Sequence, residues 1–234
     1  EMNNKAYELK NGNGKVKKYY DNGKLKYEGE YLDGNKNGKC KEYRDNGNLE
    51  FEGEYINGKK NGEVKEYDYN GKLEFEGGYL NGERNGKGKK YNWNKYYLEF
   101  EGEYKNGTKI KGKEYNQYGK IIFEGEYLNG NKNGKCKEYS DNGNLKFEGE
   151  YINGKKNGEV KEYNYDGKLK FEGEYKNGQR NGKGKEYNTY NGTLEFEGEY
   201  RNGEKWKGYI KEYDSNGKLK FEGEYLNGEK NGKG

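Results

Sequence analysis

Apolar and polar residues alternate over short stretches that return about every 24 residues. From Leu49 to Tyr55 the chain reads Leu-Glu-Phe-Glu-Gly-Glu-Tyr, which places the leucine and the aromatic residues on one face and three glutamates on the other. This period of two is typical of a half-buried β-strand. A shorter, charged stretch from Glu63 to Tyr67 follows, with Val64 as its apolar member. The pattern therefore predicts two strands in each unit.

Asn-Gly pairs separate these stretches, as at Asn57-Gly58 and Asn70-Gly71. Both residue types tolerate the positive φ that tight hairpin turns require, so we expect consecutive strands to pair antiparallel. The register of the second strand stays open at this stage. Simple alternation puts Glu66 beside Val64 and Tyr67 on the opposite face, whereas Tyr67 folding over the next turn, or a bulge, would change that arrangement.

The tripeptide aromatic-Glu-Gly occurs nine times at steps of 23–25 residues. The nine copies begin at Tyr27, Phe51, Phe75, Phe100, Phe123, Phe147, Phe171, Phe196 and Phe221. Residues 27–77 also recur almost verbatim at 123–173, an offset of 96. We expect one repeat array over 1–234, with 27–122 and 123–220 as duplicated four-unit blocks. The predicted fold is all-β: an elongated, single-layer antiparallel meander of β-hairpin repeats advancing about 9.6 Å per unit.

Composition excludes other fold classes. Hydrophobic residues make up 27% of the chain and aromatic residues 16%, which leaves too few aliphatic side chains for an ordinary core. The 41 glycines exclude a helical bundle, and no run approaches the ~20 apolar residues of a membrane-spanning helix. We therefore expect stability to come from contacts between aromatic rings of neighbouring repeats.

The charged residues favour no enzyme class. Lys and Arg number 46 and Asp and Glu 42, and the two signs are interleaved, which argues against nucleic-acid binding. Glu-x-Glu pairs such as Glu28 and Glu30 recur in nearly every unit, so they indicate a solvated face and not catalytic carboxylates. There is no His, and Cys136 has no second Cys near it in the sequence. We predict no enzyme, no cofactor, no metal site and no small-molecule substrate.

The two cysteines occupy the same position in the duplicated blocks and are predicted to be buried free thiols. This favours a reducing compartment and hence the cytoplasm, although the localisation is otherwise unknown. Glu1 precedes Met2, and the sequence stops at Lys233-Gly234 within a repeat. We therefore expect the natural protein to extend further.

The stretch from Tyr27 to Lys39 resembles the MORN repeat (membrane occupation and recognition nexus), whose pattern is Y-E-G-E-W-x-x-G-x-x-H-G-x-G. Tyr31 stands in place of the Trp of that pattern, and Asn37 in place of its His. The turn from Asp21 to Leu25 resembles the bacterial variant subclass of the family. The resemblance implies groove-bearing stacks of β-hairpins that act as scaffolds or dimerisation modules. Lipid binding is a further suggestion for the family.

Two sets of residues are candidates for partner binding. The first lies where the repeat is irregular and comprises Trp93, Tyr96, Tyr97, Ile110 and Trp206. The second is a tyrosine ladder that we expect to line a groove, namely Tyr55, Tyr79, Tyr104, Tyr127, Tyr151 and Tyr175. Trp and Tyr are enriched in binding hot spots. For the irregular positions, local repacking around a one-residue insertion or deletion is the alternative explanation.

These observations predict a non-enzymatic repeat scaffold that binds a protein partner, or a second copy of itself, through an aromatic-lined groove. Two alternatives from other classes remain open. One is a peripheral membrane or phosphoinositide-binding module, suggested by the family resemblance and the slight excess of Lys. The other is a glycan-binding surface formed by exposed Tyr and Trp rings.

Overall fold

In the computed structural model, which describes residues 9–214 and 217–231, all regular secondary structure is β-strand. The chain divides into two compact units, unit 1 and unit 2, with the boundary between Gly119 and Lys120. The strands of unit 1 are β1 (Gly14–Tyr19), β2 (Leu25–Leu32), β3 (Asn35–Tyr43), β4 (Leu49–Ile56), β5 (Lys59–Tyr67), β6 (Leu73–Leu80), β7 (Glu83–Tyr91), β8 (Leu98–Lys105) and β9 (Thr108–Tyr115). The strands of unit 2 are β10 (Ile121–Leu128), β11 (Asn131–Tyr139), β12 (Leu145–Ile152), β13 (Lys155–Tyr163), β14 (Leu169–Lys176), β15 (Gln179–Tyr187), β16 (Leu194–Arg201), β17 (Glu204–Tyr213), β18 (Leu219–Leu226) and β19 (Glu229–Asn231).

Within each unit, every strand pairs antiparallel with the strand that follows it in sequence. The predicted all-β antiparallel meander of hairpin repeats is confirmed. Contacts between sequence neighbours dominate such an architecture, so each hairpin depends chiefly on the hairpins beside it.

Two kinds of turn connect the strands, and both depend on backbone that only a few residue types adopt easily. Between β4 and β5, Asn57 and Gly58 have φ values of 49° and 76°, as expected for a type I′ hairpin turn. Between β5 and β6, the Gly71 N–H donates to the Asp68 carbonyl at 3.0 Å, and Gly71 has a φ of 76°. We call these longer connections, which join one hairpin to the next, the second turns.

From Gly62 to Glu66 the second strand follows simple alternation against β6, whereas its register against β4 shifts between Asn61 and Lys65. Glu66 lies opposite Phe75 and, like the buried Val64, is on the aromatic face of the sheet. A bulge follows Glu66, since the next pair in the ladder joins Tyr67 to Leu73. Tyr67 therefore lies on the face opposite the rings. Both features that the sequence left open are present: the strand alternates, and the bulge comes after it.

The core is a ladder of aromatic rings on one face of each unit. Seven phenylalanines are at most 1% exposed: Phe51, Phe75, Phe100, Phe123, Phe147, Phe171 and Phe196. Each packs edge-to-face on a tyrosine of its own strand, as Phe171 does on Tyr175 with 5.9 Å between ring centroids. The Phe171 ring also contacts Tyr200, two strands further on, at 5.3 Å. Edge-to-face packing therefore links consecutive repeats as well as neighbouring residues.

Gly53 lies between the two aromatic residues of β4 because there is no room for a side chain. A Cβ at this position would lie 2.8 Å from Cγ1 of Val64 and 2.9 Å from Cζ of Phe51. The Phe51 ring folds over the glycine and reaches the small residue of the adjacent strand. The aromatic-Glu-Gly tripeptide is thus a packing requirement of the ladder.

Candidate functional site

The tyrosine ladder belongs to the core and does not line an open groove. Tyr55, Tyr79, Tyr104, Tyr127 and Tyr151 are 7%, 9%, 4%, 8% and 8% exposed, and Tyr175 is half-buried. The prediction of an aromatic-lined groove is therefore wrong. The physical reason is the small supply of aliphatic side chains, which makes these rings the main apolar material that the sheet can bury.

The rings are covered by cations that pair with carboxylates of the second strands. The Lys60 ammonium lies 4.4 Å from the centroid of the Phe51 ring and 2.6 Å from Oε1 of Glu66. The Tyr79 hydroxyl and the Arg84 guanidinium donate to the same carboxylate at 3.0 and 2.9 Å. Burial raises the pKa of Glu66, but the hydrogen bonds from Lys60 and Arg84 outweigh it, so the pKa lies below its ordinary value. These bonds give the Glu66 carboxylate a structural role.

This cover of a cation and its paired carboxylate, which we call the lid, recurs along the chain. It was not identified from the sequence. The cation–ring distance is 4.0 Å for Lys132 over Phe123 and 3.9 Å for Arg180 over Phe171. In every complete repeat a Lys or Arg occupies the equivalent position, early in the second strand. These cations are Lys36, Lys60, Arg84, Lys109, Lys132, Lys156, Arg180, Lys205 and Lys230. The sequence feature that could have identified the lid is a Lys or Arg at the same position of each repeat, next to an aromatic strand.

An open groove of about 1240 Å³ lies on the other face of unit 1. Its walls are alternating glutamates and lysines from β1 to β8, and the small residues at the strand centres lie along its middle. Lys17 pairs with Glu28 at 3.4 Å and Lys41 with Glu52 at 3.3 Å across adjacent strands. The Lys41 and Glu52 side chains are 44% and 42% exposed, so the groove presents accessible charge of both signs.

Tyrosines at the ends of the second strands fix some of these glutamates. The Tyr43 hydroxyl donates to Glu28 at 2.9 Å, and the Tyr91 hydroxyl donates to Glu76 at 2.8 Å. Burial, followed by the hydrogen bond to the carboxylate, raises the pKa of Tyr43 to about 12. These hydroxyls therefore remain protonated donors near neutral pH.

Unit 2 contains a smaller groove of about 460 Å³ with the same kind of lining. Glu148 and Glu172 contribute carboxylates, and Lys161 and Lys185 contribute ammonium groups. Lys137 pairs with Glu148 at 3.5 Å. The two units thus offer charged surfaces of one type but of different size.

The four irregular candidates of unit 1 lie towards opposite ends of β8 and do not form one site. Trp93 and Tyr96 are 69% and 44% exposed in the second turn between β7 and β8, and Tyr97 at its end is half-buried. Ile110 is half-buried in β9, which begins after a turn at the opposite end of β8. Trp206 is in unit 2, half-buried beneath the Arg201 guanidinium at 4.1 Å.

Further exposed aromatic residues occupy second turns and were missed in the sequence. Tyr69 and Tyr118 in unit 1 are 61% and 73% exposed, and Tyr165 and Tyr190 in unit 2 are 63% and 90% exposed. The sequence feature that identifies them is an aromatic residue inside the polar Asx-to-Gly segment of the turn. That segment needs no apolar residue for its own structure.

No group of three or more Cys, Asp and Glu side chains within residues 9–214 and 217–231 is arranged to hold a metal ion. The same residues include no helix with the length and apolar character needed to cross a bilayer. Cys40 and Cys136 are buried free thiols.

Comparison with known families gives a match over more than half of the chain. A family described as MORN repeat variant matches residues 12–33, 36–57, 60–81, 132–153, 156–177 and 207–227. A second family, described as MORN repeat, matches residues 75–92, 171–189 and 221–234. No curated protein matches the chain.

Proposed function

The chain belongs to the MORN-repeat family, and on that premise we propose that it is a non-catalytic scaffold that binds an extended segment of a partner protein in the groove of unit 1. The family is a repeat-scaffold family that generally serves interaction with proteins or membranes. The observation that supports a protein partner is the groove itself, with its size and its alternating charges.

The groove has the dimensions of a peptide site. It is lined by residues of eight consecutive strands, β1 to β8. Seven intervals of about 4.8 Å give a length of roughly 34 Å, enough for about ten residues of extended chain at ~3.3 Å each. A surface of this length allows contact with many residues of a partner, as is usual for repeat proteins.

The charge pattern favours a polypeptide of mixed charge over an anionic membrane. The walls place lysines such as Lys41 and Lys65 on either side of Glu52, so a flat polyanionic surface would meet repulsion as often as attraction. A half-exposed pair such as Lys41 with Glu52 contributes little to stability, so exchanging it for a pair with a partner costs little.

Charge reversal in the groove tests the proposal. Glu54→Lys combined with Glu103→Lys changes two groove residues. Glu150→Lys combined with Glu199→Lys changes the equivalent positions of unit 2, which lie outside its smaller groove. The full chain serves as bait, and the amount of a co-purified, cross-linked partner is measured. We expect the first variant to recover at least tenfold less of that partner, and the second variant to recover as much as the unmodified chain. Circular dichroism checks that both remain folded.

Two further measurements on the same variants test the alternative functions. Sedimentation with vesicles containing phosphatidylserine or phosphoinositide measures lipid binding, and light scattering after size exclusion measures self-association. Equal retention of every partner by both variants contradicts the groove proposal. Vesicle binding that survives the groove variant would assign the chain to the membrane class instead.

A further inference from the structure

Three successive second turns of unit 1 carry exposed aromatic rings, and we propose that they form a docking site for a proline-rich segment in the polyproline II conformation. We define the aromatic turn row as Tyr69, Trp93, Tyr96 and Tyr118. Their exposed fractions are 61%, 69%, 44% and 73%. Because second turns all lie at the same end of their hairpins, the row follows one edge of the sheet.

The backbone that carries these rings is held in place within each turn. The Asp68 carboxylate accepts the N–H groups of Asn70 and Lys72 at 2.9 and 2.8 Å. In the third turn, Oδ1 of Asn116 accepts the N–H of Tyr118 at 3.0 Å. Rings on a positioned backbone lose little freedom when a ligand binds.

Contacts between neighbouring turns hold the row together. The Asn46 and Asn48 amides, in the second turn that precedes the row, both donate to the Tyr69 carbonyl at 3.0 Å. The Lys95 ammonium donates to the Gln117 side-chain carbonyl, which links the second turn of the row to the third. The Lys72 ammonium lies 5.9 Å from the centroid of the Tyr96 ring, which links the first turn to the second.

The spacing of the turns matches the repeat of a polyproline II helix. Successive second turns are two strands apart, which corresponds to about 9.6 Å. A polyproline II helix has three residues per turn and a rise of ~3.1 Å, which gives a repeat of about 9.3 Å. An extended β-strand repeats every ~6.8 Å and an α-helix every ~5.4 Å, so neither presents one side chain per aromatic turn.

The chemistry of the row also suits this ligand. Proline rings pack on exposed Tyr and Trp faces in the known aromatic-lined sites for such segments. The carbonyls of a polyproline II helix have no internal partners and need donors. The Trp93 indole N–H and the tyrosine hydroxyls are donors of this kind. These 234 residues contain no Pro, so they do not supply the ligand themselves.

Fluorescence titration with oligoproline tests the site directly. Trp206→Phe leaves Trp93 as the one tryptophan of the chain. In this background we expect a saturable change in Trp93 emission with a ten-residue oligoproline. We expect at least tenfold weaker binding of a three-residue oligoproline, because it spans only one turn of the row, and no response to a ten-residue Gly-Ser peptide.

Substitutions separate the row from other surfaces. Tyr69→Ala and Tyr118→Ala should each weaken oligoproline binding about fivefold to tenfold. Tyr165→Ala, at the position of unit 2 equivalent to Tyr69, should leave it unchanged. The groove variant Glu54→Lys with Glu103→Lys should also bind normally, so failure of the groove proposal leaves this one intact. An equal response to Gly-Ser peptide, or loss of binding only in the groove variant, would overturn the row as the site.

Discussion

Tyr96 has a left-handed φ of 56° at the turn position where the duplicated sequence has Gly192 with a φ of 76°. The two turns are otherwise built alike, since the N–H of each of these residues donates to the carbonyl of the asparagine that opens the turn, both at 2.8 Å. A bulky residue with positive φ is a true outlier. The strain lies within the aromatic turn row, at the residue that carries one of its rings.

Replacing Tyr96 by Gly should therefore stabilise unit 1 by about 1 kcal/mol, because relief of left-handed strain exceeds the entropy cost of glycine. Gly192→Ala should destabilise unit 2 by about 1 kcal/mol for the converse reason. Urea denaturation followed by circular dichroism measures both midpoints. A lower midpoint for Tyr96→Gly would show that ring contacts outweigh the backbone strain.

The Tyr104 hydroxyl is buried, and no hydrogen-bond partner for it is found in the described part of the chain. At the equivalent position, the Tyr200 hydroxyl donates to Glu186 at 3.1 Å. Lys90 occupies in unit 1 the place that Glu186 occupies in unit 2. An unsatisfied buried donor costs free energy that an acceptor would recover.

Lys90→Glu should accordingly stabilise unit 1 by about 1 kcal/mol through a new acceptor for Tyr104. The ion pair that it removes, Lys90 with Glu99 at 3.0 Å, is about one-third exposed and contributes little. Lys90→Met removes the same pair without adding an acceptor, so it should give no gain. Urea midpoints of the two variants decide the matter, and equal midpoints would contradict the proposed acceptor role.

Acid should destabilise the fold through the lid carboxylates. Burial raises the pKa of Glu162, but bonds from Lys156 and then Arg180 outweigh it and leave the pKa below the ordinary 4.5. Because the folded-state pKa is the lower one, the unfolded chain binds more protons between the two values. Stability is therefore fully present above about pH 4.5 and falls as the pH drops through that window.

Urea midpoints between pH 7 and pH 3 measure this dependence. We expect a flat profile down to about pH 5 and a steep decline below it. Glu162→Gln should lower the midpoint at pH 7 and make the acid decline shallower. A decline of unchanged steepness in that variant would mean that other carboxylates cause the loss.

The two thiols should be inert in the folded protein. Burial, followed by the Glu42 carboxylate, raises the pKa of Cys40 to about 12, and burial raises that of Cys136 to about 12. The thiolate is the reactive species, so alkylation by iodoacetamide at pH 8 should be on the order of 100-fold slower than in urea. Tyr118→Cys supplies an exposed control that should react at once. Comparable native rates for all three thiols would contradict burial.

Much of the fold is predictable because the features that define its strands and turns involve residues close together in the sequence. Alternation from Leu49 to Tyr55 defines the strand, Asn57-Gly58 defines the type I′ turn, and the 96-residue offset relates equivalent positions of the two halves. Each repeat contacts its sequence neighbours, so the order of strands follows from the order of the chain. The candidate site was predicted less well, since exposure of a ring is not a local property.

The sequence by itself determined the all-β meander, its hairpin turns and the family. The period of apolar and polar residues, the turn residues and the repeat length can all be identified from the order of residues. Only the tertiary structure decided which face is open. The sequence predicted accessible rings at Tyr55 and Tyr79, yet both are buried, with Lys36 over Tyr55 and Lys60 over Tyr79. Burial depends on side chains brought together across strands, and a lysine can cover a ring as well as an aliphatic residue does.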